Sequence, residues 1–285
     1  MTSREFADMV QSQTVNDIRN EFEPEWSRRW IWDRSYRESR TPSCPSMLLE
    51  LLSHQNFGDM LYGLDPTFRF DVSRAIYKGI LRYISSQYDT EYVVQPLPIN
   101  SFAAMLEGTT AHLTWQPTED RLEPTALPDY YILYTRVDGG GFDTGRRIDG
   151  TTTTVEQIPD HLYSYRITAV NRGGESFDSE TLSTYACSES LGNVLIVNSF
   201  TRVAAPTSRA TATEAGFYNA EDSGVAYIED ASFIGAQRIF DRSLSRSEND
   251  MNALGTSHHD YEAVTIAGNT FDYPALHAGD LLLLD

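Results

Sequence analysis

Glu50 is the residue whose type and position most clearly suggest chemistry, because it lies within a short apolar run, Met47-Leu-Leu-Glu-Leu-Leu52. A carboxyl group at the end of a buried apolar strand loses hydration, and such burial favours the proton affinity that a general base needs. Beside a zinc ion, a carboxylate of this kind takes a proton from the bound water and later returns it to a leaving amine. Taken alone, the residues favour a plainer interpretation, in which Glu50 only pairs with an arginine such as Arg37 or Arg40.

His54 is the nearest candidate partner for Glu50. If the apolar run were helical, the spacing of four residues would place both side chains on one face as two metal ligands. Pro42, Pro45 and the shortness of the run favour a buried strand instead, although periodicity alone does not decide between them. We therefore predict that His54 lies in a turn near the mouth of a pocket, where it is a candidate for a substrate contact.

Metal-ligand patterns are weak elsewhere in the chain. His258-His259-Asp260 invites a metal hypothesis, but adjacent histidines on a loop are more often solvated. Cys44 and Cys187 form no Cys-x-x-Cys pair, and we predict no disulfide between them. We expect the chain to hold no metal.

Three of the four tryptophans, Trp26, Trp30 and Trp32, fall within an irregular arginine-rich stretch. Such rings could line a glycan groove or belong to a core. We predict a core position with one ring exposed.

Net charge limits the partners. The 285 residues include 41 acidic and 22 basic side chains, a formal net charge of −19. An acidic surface repels phosphate backbones, so nucleic acid and anionic membranes are poor partners. No apolar run is long enough to span a bilayer, which predicts a protein that does not cross a membrane.

Two helices are predicted in the amino-terminal part. The first covers residues 3–22, with Ser3 as a plausible cap. The second runs from about Asp65-Pro66 to Tyr88, and an apolar stripe at every fourth position, Val72, Ile76, Ile80 and Ile84, predicts one face packed on a sheet.

Short alternating strands separated by turn residues follow the extended, proline-punctuated segment Val93 to Asn100. The strands are predicted at Ala111–Trp115, Tyr130–Val137, Thr151–Val155 and Tyr163–Val170. This region resembles a fibronectin type III β-sandwich, with Trp115 between the sheets and Tyr163 as a tyrosine-corner residue that hydrogen-bonds back across a connection. Exposed aromatic residues there could bind sugar, but the alternation of Tyr130, Tyr131 and Tyr134 favours core and cross-strand packing.

Two fully apolar runs, Val194–Val197 and Ala263–Ala267, predict buried strands of a parallel sheet in the carboxy-terminal part. Polar residues after these strands would lie at the carboxyl edge, where open α/β sheets bind ligands: Asn198, Asn269, Thr270 and Asp272. The alternative, that they only cap turns, has somewhat better support.

The amino-terminal part also resembles a known enzyme family. The segments Ser3–Ala7, Pro45–Asn56 and Arg69–Ile84 resemble the carboxy-terminal half of zinc-dependent N-acetylmuramoyl-L-alanine amidases. The likeness is strongest to secreted, xanthan lyase-like forms in which the amidase precedes a fibronectin type III module. The resemblance implies that Glu50 is the catalytic acid/base. The predicted substrate contacts are His54, Asn56 and Arg40.

This chain departs from the family at the metal. The family's zinc ligands, two histidines and a glutamate, precede the equivalent of Ser3, whereas the first histidine here is His54. The resemblance therefore implies zinc in the complete domain and none held by this chain. We expect a fragment whose signal peptide is missing with the upstream part.

These observations predict a multidomain α/β plus all-β chain. Its parts are an amidase-like α/β segment at 1–92, a fibronectin type III-like β-sandwich at 93–190 and a partial α/β parallel-sheet domain at 191–285. The expected function is that of a secreted or cell-envelope fragment of a peptidoglycan amidase, inactive alone. The alternative is a non-catalytic scaffold that binds peptidoglycan or another glycan.

Overall fold

The computed structural model describes residues 2–52, 56–197, 205–211, 214–217 and 240–241. It divides into two units, with a boundary between Thr90 and Glu91. The helices of the first unit are α1 (Ser3–Glu21), α2 (Arg37–Arg40), α3 (Phe57–Gly63) and α4 (Pro66–Tyr88). The strands of the second unit are β1 (Asn100–Glu107), β2 (Thr110–Gln116), β3 (Tyr130–Val137), β4 (Arg146–Ile148), β5 (Thr152–Glu156), β6 (Leu162–Asn171), β7 (Gly174–Glu175) and β8 (Leu182–Tyr185). Three short strands, β9 (Ser208–Ala210), β10 (Glu214–Phe217) and β11 (Phe240–Asp241), belong to the first unit.

A capping box starts α1. The Thr2 hydroxyl accepts a hydrogen bond from the Glu5 amide, and the Glu5 carboxylate accepts one from the Thr2 amide at 2.6 Å. The predicted cap, Ser3, is therefore wrong by one position, because only Thr2 stands three residues before a glutamate that can complete the box. Asp65 caps α4 through the Thr67 amide, and α4 extends to Tyr88 as predicted.

Helices α1 and α4 pack directly against each other. A β-carbon on Gly79 would lie 2.7 Å from the Cα of Val10, so the glycine allows the two helices to approach closely. The buried stripe of α4 runs through Phe68, Val72, Ala75, Gly79 and Tyr83. Of the predicted stripe, Val72 is buried and Ile76 packs against the same cluster, whereas Ile84 lies off this face. Ile84 is 44% exposed, because four residues advance a helix about 40° beyond one turn and a strict four-residue repeat drifts off the face.

A buried ion pair lies in the same helical unit. The Lys78 ammonium is 2.7 Å from the Asp17 carboxylate, and the two side chains are only 2% and 9% exposed. The Gln13 amide donates a second hydrogen bond to Asp17 at 2.8 Å. The partner of α4 is thus a helix with a paired charge, rather than the predicted sheet.

The second unit is an antiparallel β-sandwich, as predicted. One sheet has the order β1-β2-β5, and the other has the order β4-β3-β6-β7 with β8 also paired to β6. Trp115 is buried in the core with its ring 5.4 Å from that of Tyr131. The Tyr163 hydroxyl accepts a hydrogen bond from the Ile158 amide at 3.2 Å, which confirms its predicted bond back across the connection before β6.

The segment that precedes the sandwich is part of its packing. Val94 is fully buried, and its carbonyl accepts a hydrogen bond of 2.9 Å from the Asn171 side chain. The same side-chain amide donates to the carbonyls of Thr125 and Leu127 at 3.2 Å. Asn171 therefore ties two incoming loops to the end of β6.

Tyr134 lies on the other face of β3 from the core, in a cluster of charged side chains. Its hydroxyl donates a hydrogen bond of 2.6 Å to the Glu175 carboxylate, and the Arg166 guanidinium lies 5.1 Å from the ring centroid. The hydrogen bond to Glu175, followed by burial and the charge of that carboxylate, raises the pKa of Tyr134 to about 12 from its usual 10.0. Tyr130 and Tyr134 thus pack across strands, as predicted, rather than forming a bare aromatic face.

The pH dependence of this contact follows from the direction of the shift. Because folding raises the pKa of Tyr134, the contact stabilises the fold fully below about pH 10 and is lost as the pH rises through about 12. In NMR spectra of the chain carrying ¹³C-labelled tyrosine, we expect one late-titrating resonance that disappears in Tyr134→Phe. In Glu175→Gln that resonance should titrate earlier; titration of Tyr134 at its ordinary value in the native chain would contradict the assignment.

The carboxy-terminal part differs from the sequence-based prediction where it can be described. Residues 191–197 form no strand, and the side chains of Leu191, Val194, Leu195 and Val197 are exposed. The predicted buried strand at Val194–Val197 is therefore wrong, since no neighbouring strand among the described residues pairs with it. Strands β9, β10 and β11 form a small antiparallel sheet instead of a parallel one. The other residues predicted to act here lie outside the described residues: Asn198, His258, His259, Asp260, Ala263–Ala267, Asn269, Thr270 and Asp272.

No helix in the described part of the chain is both long enough and apolar enough to cross a membrane.

Candidate functional site

A groove of about 620 Å³ lies in the helical unit. Its lining comes from the start of α1, the irregular stretch at 29–36, helix α2 and the extended segment at 46–50. A volume of this size is within the range of about 300–1,000 Å³ that small-molecule sites occupy. The groove is therefore large enough to bind a ligand.

Hydrogen bonds to α1 hold the irregular stretch in place. The Gln11 amide donates to the carbonyl of Arg29 at 2.9 Å, and the Arg19 side chain donates to the carbonyl of Trp26 at 2.8 Å. Arg28 forms an ion pair with Asp8 on the same helix. These contacts fix the backbone just before Trp30, which has no regular secondary structure of its own.

A similar arrangement holds the opposite wall. The Ser46 amide donates to the Ser3 hydroxyl at 3.2 Å, and the Ser46 hydroxyl donates to the carbonyl of Ser39 at 2.9 Å. The segment at 46–50 is thereby joined to the first turn of α1 and to α2.

Two tryptophan rings face solvent along this groove. Trp30 is 76% exposed and Trp32 is 62% exposed, while Trp26 is half-buried with its ring 5.8 Å from that of Phe68. The prediction that only one of the three rings is exposed is wrong. Among the three, Trp26 is the ring that packs against the described cluster around Phe68.

Arginine is the dominant charged residue of the groove. Four guanidinium groups line it, from Arg4, Arg29, Arg34 and Arg40, against two carboxylates, from Asp33 and Glu50. Within residues 2–52 and 56–197, none of these four arginines forms an ion pair. The groove therefore carries more positive than negative side chains, although the whole chain has a net charge of −19.

The structure brings together only some of the residues predicted from the sequence. Glu50 and Arg40 line the same groove, although no ion pair joins Glu50 to Arg40 or Arg37. Asn56 is instead the N-cap of α3, where its side-chain oxygen accepts a hydrogen bond of 3.0 Å from the Asp59 amide. His54 lies outside the described residues.

The predicted environment of Glu50 is wrong. Residues 46–52 form no strand, and the Glu50 side chain is exposed rather than desolvated. The leucines of the apolar run do not share one buried element. Leu51 and Leu52 pack against the cluster of Ile18, Phe68 and Val72, while Leu48 is exposed. No described strand pairs with residues 46–52, so these residues form an isolated extended segment.

No group of three or more histidine, cysteine, aspartate or glutamate side chains with metal-binding geometry occurs among the described residues. Within the same residues of the first unit, the only strands are the antiparallel β9, β10 and β11. An amidase-like α/β segment is therefore not supported.

The arginines of the groove were missed as a set by sequence reasoning, although a signal was present. Between residues 28 and 40 the chain carries five arginines, at 28, 29, 34, 37 and 40, against the acidic residues Asp33 and Glu38. That local excess of positive charge, next to two tryptophans, stands out in an acidic chain. Arg4, by contrast, is brought to the groove only by folding.

Solved structures similar to part of the chain are fibronectin type III-like domains. A twitchin kinase region from C. elegans is 23% identical with a TM-score of 0.30, over 33% of this chain and 17% of that chain. The protein described as FN3tt mut is 22% identical with a TM-score of 0.27, over 32% of this chain and 97% of that one. The FN5 domain of Drosophila Lar is 20% identical with a TM-score of 0.25, over 32% and 97% of the two chains.

This chain spans less than a fifth of the twitchin region that it resembles. No protein-family model and no curated protein matches the sequence. The comparisons give no support to the resemblance to amidases or xanthan lyase-like proteins. The fibronectin type III-like similarity describes architecture, and a fold of this kind serves many functions.

Proposed function

We propose that this protein is a non-catalytic glycan-binding protein of the cell envelope, in which the groove of the helical unit binds the sugar. The observation that carries the proposal is the pair of exposed indole rings, Trp30 and Trp32, along one groove. Large exposed aromatic rings present an apolar face with little entropy to lose, which suits stacking against the apolar face of a sugar ring.

Polar groups at the groove complement the rings. Arginine guanidinium groups donate hydrogen bonds in a fixed planar geometry, and the carboxylates of Asp33 and Glu50 accept them. A sugar carries hydroxyl groups that both donate and accept. The groove thus offers the two kinds of contact, apolar and polar, that a glycan requires.

The sandwich fits a supporting role in this proposal. Several of its aromatic residues lie in the core or beside arginines, as Tyr130 does with the Arg147 guanidinium 4.1 Å from its ring centroid, while Phe177 and Tyr185 are exposed. A module of this type serves as a spacer or docking surface.

The proposal predicts a large effect of removing both rings. We expect Trp30→Ala/Trp32→Ala to weaken binding of soluble peptidoglycan fragments or N-acetylglucosamine oligomers at least tenfold, because truncating a central tryptophan typically costs about 2 kcal/mol or more. Isothermal titration calorimetry on the full chain measures the affinity.

Tyr88→Ala is the matched control, since Tyr88 is an aromatic residue of the same unit that is 74% exposed outside the groove. Binding should be unchanged in this variant. Equal affinity of the double tryptophan variant and the native chain would contradict the proposal. The absence of binding to every glycan tested would also contradict it.

The alternative of an amidase fragment rests on Glu50 at the edge of the same groove. It stays a prediction. Stoichiometric zinc in the purified chain, together with peptidoglycan hydrolysis that is lost in Glu50→Gln, would support an enzyme and reject a purely binding role.

A further inference from the structure

Resting on the proposed glycan-binding function, we infer that the groove selects carboxylate-bearing glycans, such as polymers of uronic acids, over neutral ones. The sugar rings would stack on Trp30 and Trp32 while guanidinium groups of the arginine cluster bind the sugar carboxylates.

The first argument is charge complementarity. Arg4, Arg29, Arg34 and Arg40 form no ion pair within the described ranges 2–52 and 56–197, although the whole sequence holds 41 acidic residues. Arginines at a protein surface readily find carboxylates in such a chain. A cluster that is left unpaired, and that faces a groove, is free to bind an external anion.

The second argument is geometry. The Arg34 guanidinium lies over the Trp32 ring, 5.2 Å from its centroid, in a cation–π contact. This contact restrains the guanidinium beside an exposed ring. A uronic acid residue that stacks on an indole would place its carboxylate within reach of an arginine, whereas a neutral sugar would leave that charge without a partner.

The third argument distinguishes an acidic glycan from a single-stranded nucleic acid, which also stacks on aromatic rings and binds arginine. Both ligands carry about one negative charge per unit, so the net charge of −19 does not separate them, whereas their hydroxyl groups do. Asp33 and Glu50 at the same groove are acceptors that suit the many hydroxyl donors of a sugar.

The test uses the full chain and defined probes: hexamers of galacturonate and of glucuronate, their neutral methyl esters, and a six-nucleotide single-stranded DNA. Calorimetric titration at low and moderate salt should show at least one acidic hexamer binding about tenfold or more tightly than its ester, the ratio expected from one charge-assisted hydrogen bond of about 1.5 kcal/mol. Raising the salt should weaken only the acidic probe.

Arg34→Gln/Arg40→Gln should remove that preference, so that the acidic hexamer and its ester bind this variant with equal affinity. Arg121→Gln is the matched control, because Arg121 is an exposed arginine of the sandwich unit. Circular dichroism establishes that each variant remains folded.

Equal binding of acids and esters would overturn the inference and leave the glycan-binding proposal intact. Tighter binding of the DNA than of either acid would also overturn it. Binding of no glycan at all would overturn both proposals.

Discussion

Lys78→Ala is expected to lower the free energy of unfolding of the helical unit by roughly 3–5 kcal/mol, because it leaves the buried Asp17 carboxylate without its counterion. The ammonium and the carboxylate are 2.7 Å apart, and Gln13 is too weak a partner to compensate for the lost charge. Urea unfolding monitored by circular dichroism at the helix signal measures the change, and hydrogen exchange of amides in α1 and α4 assigns it to this unit.

A double variant separates the ion pair from simple packing. Lys78→Met/Asp17→Leu replaces both charges by apolar side chains, and we expect it to recover much of the stability that Lys78→Ala loses, since buried pairs are often replaced without loss by well-packed apolar groups. A loss below about 1 kcal/mol in Lys78→Ala, the range of a surface pair, would show that the pair is not buried in solution.

Gly173→Ala is expected to destabilise the sandwich by about 3 kcal/mol, the upper part of the range for overpacking. A β-carbon at this position would lie 2.8 Å from the carbonyl carbon of Val94 and 2.9 Å from the amide nitrogen of Gln95. These are backbone atoms, and the Val94 carbonyl accepts a hydrogen bond from Asn171. The segment at 93–95 therefore cannot move away from the turn at Gly173 without breaking that hydrogen bond.

Gly139→Ala provides the control, because no atom lies within 4 Å of the β-carbon that it would add. Its stability should remain within about 0.5 kcal/mol of the native chain. Thermal or urea unfolding followed by the fluorescence of Trp115, in variants whose other tryptophans are replaced by phenylalanine, reports on the sandwich. Equal stability of the Gly173 and Gly139 variants would mean that the segment at 93–95 does not pack against the turn.

The elements that the sequence predicted well are those with a local cause. The strand Tyr130–Val137 alternates at period two and has a glycine turn behind it, and α4 begins at an Asp-Pro cap. Trp115 and Tyr163 were placed correctly because their roles follow from the alternation of their own strands. In each case the physical determinant lies within a few residues of the element.

The errors concern apolar runs whose meaning depends on distant partners. Met47–Leu52 and Val194–Val197 have strand-like composition, yet neither pairs with another strand among the described residues. A strand needs a neighbour for its backbone hydrogen bonds, and composition cannot supply one. The hypothesis that Glu50 is desolvated depended on such a strand and fails with it.

The candidate groove, too, could be predicted from the sequence only in part. The richness of residues 26–40 in tryptophan and arginine is visible in the sequence. Whether Trp30 and Trp32 face solvent, and whether Arg4 lines the same groove as Arg34, depends on how α1 holds the irregular stretch. Such tertiary placement has no counterpart in local periodicity.

The two cysteines of the chain are both unpaired and exposed, Cys44 in the helical unit and Cys187 in the sandwich. Each unit therefore carries one natural attachment point for a thiol-reactive dye or spin label. Energy transfer or electron paramagnetic resonance between two such labels can report the separation of the units in the native chain, with no introduced residue, and can follow whether that separation changes when a ligand fills the groove.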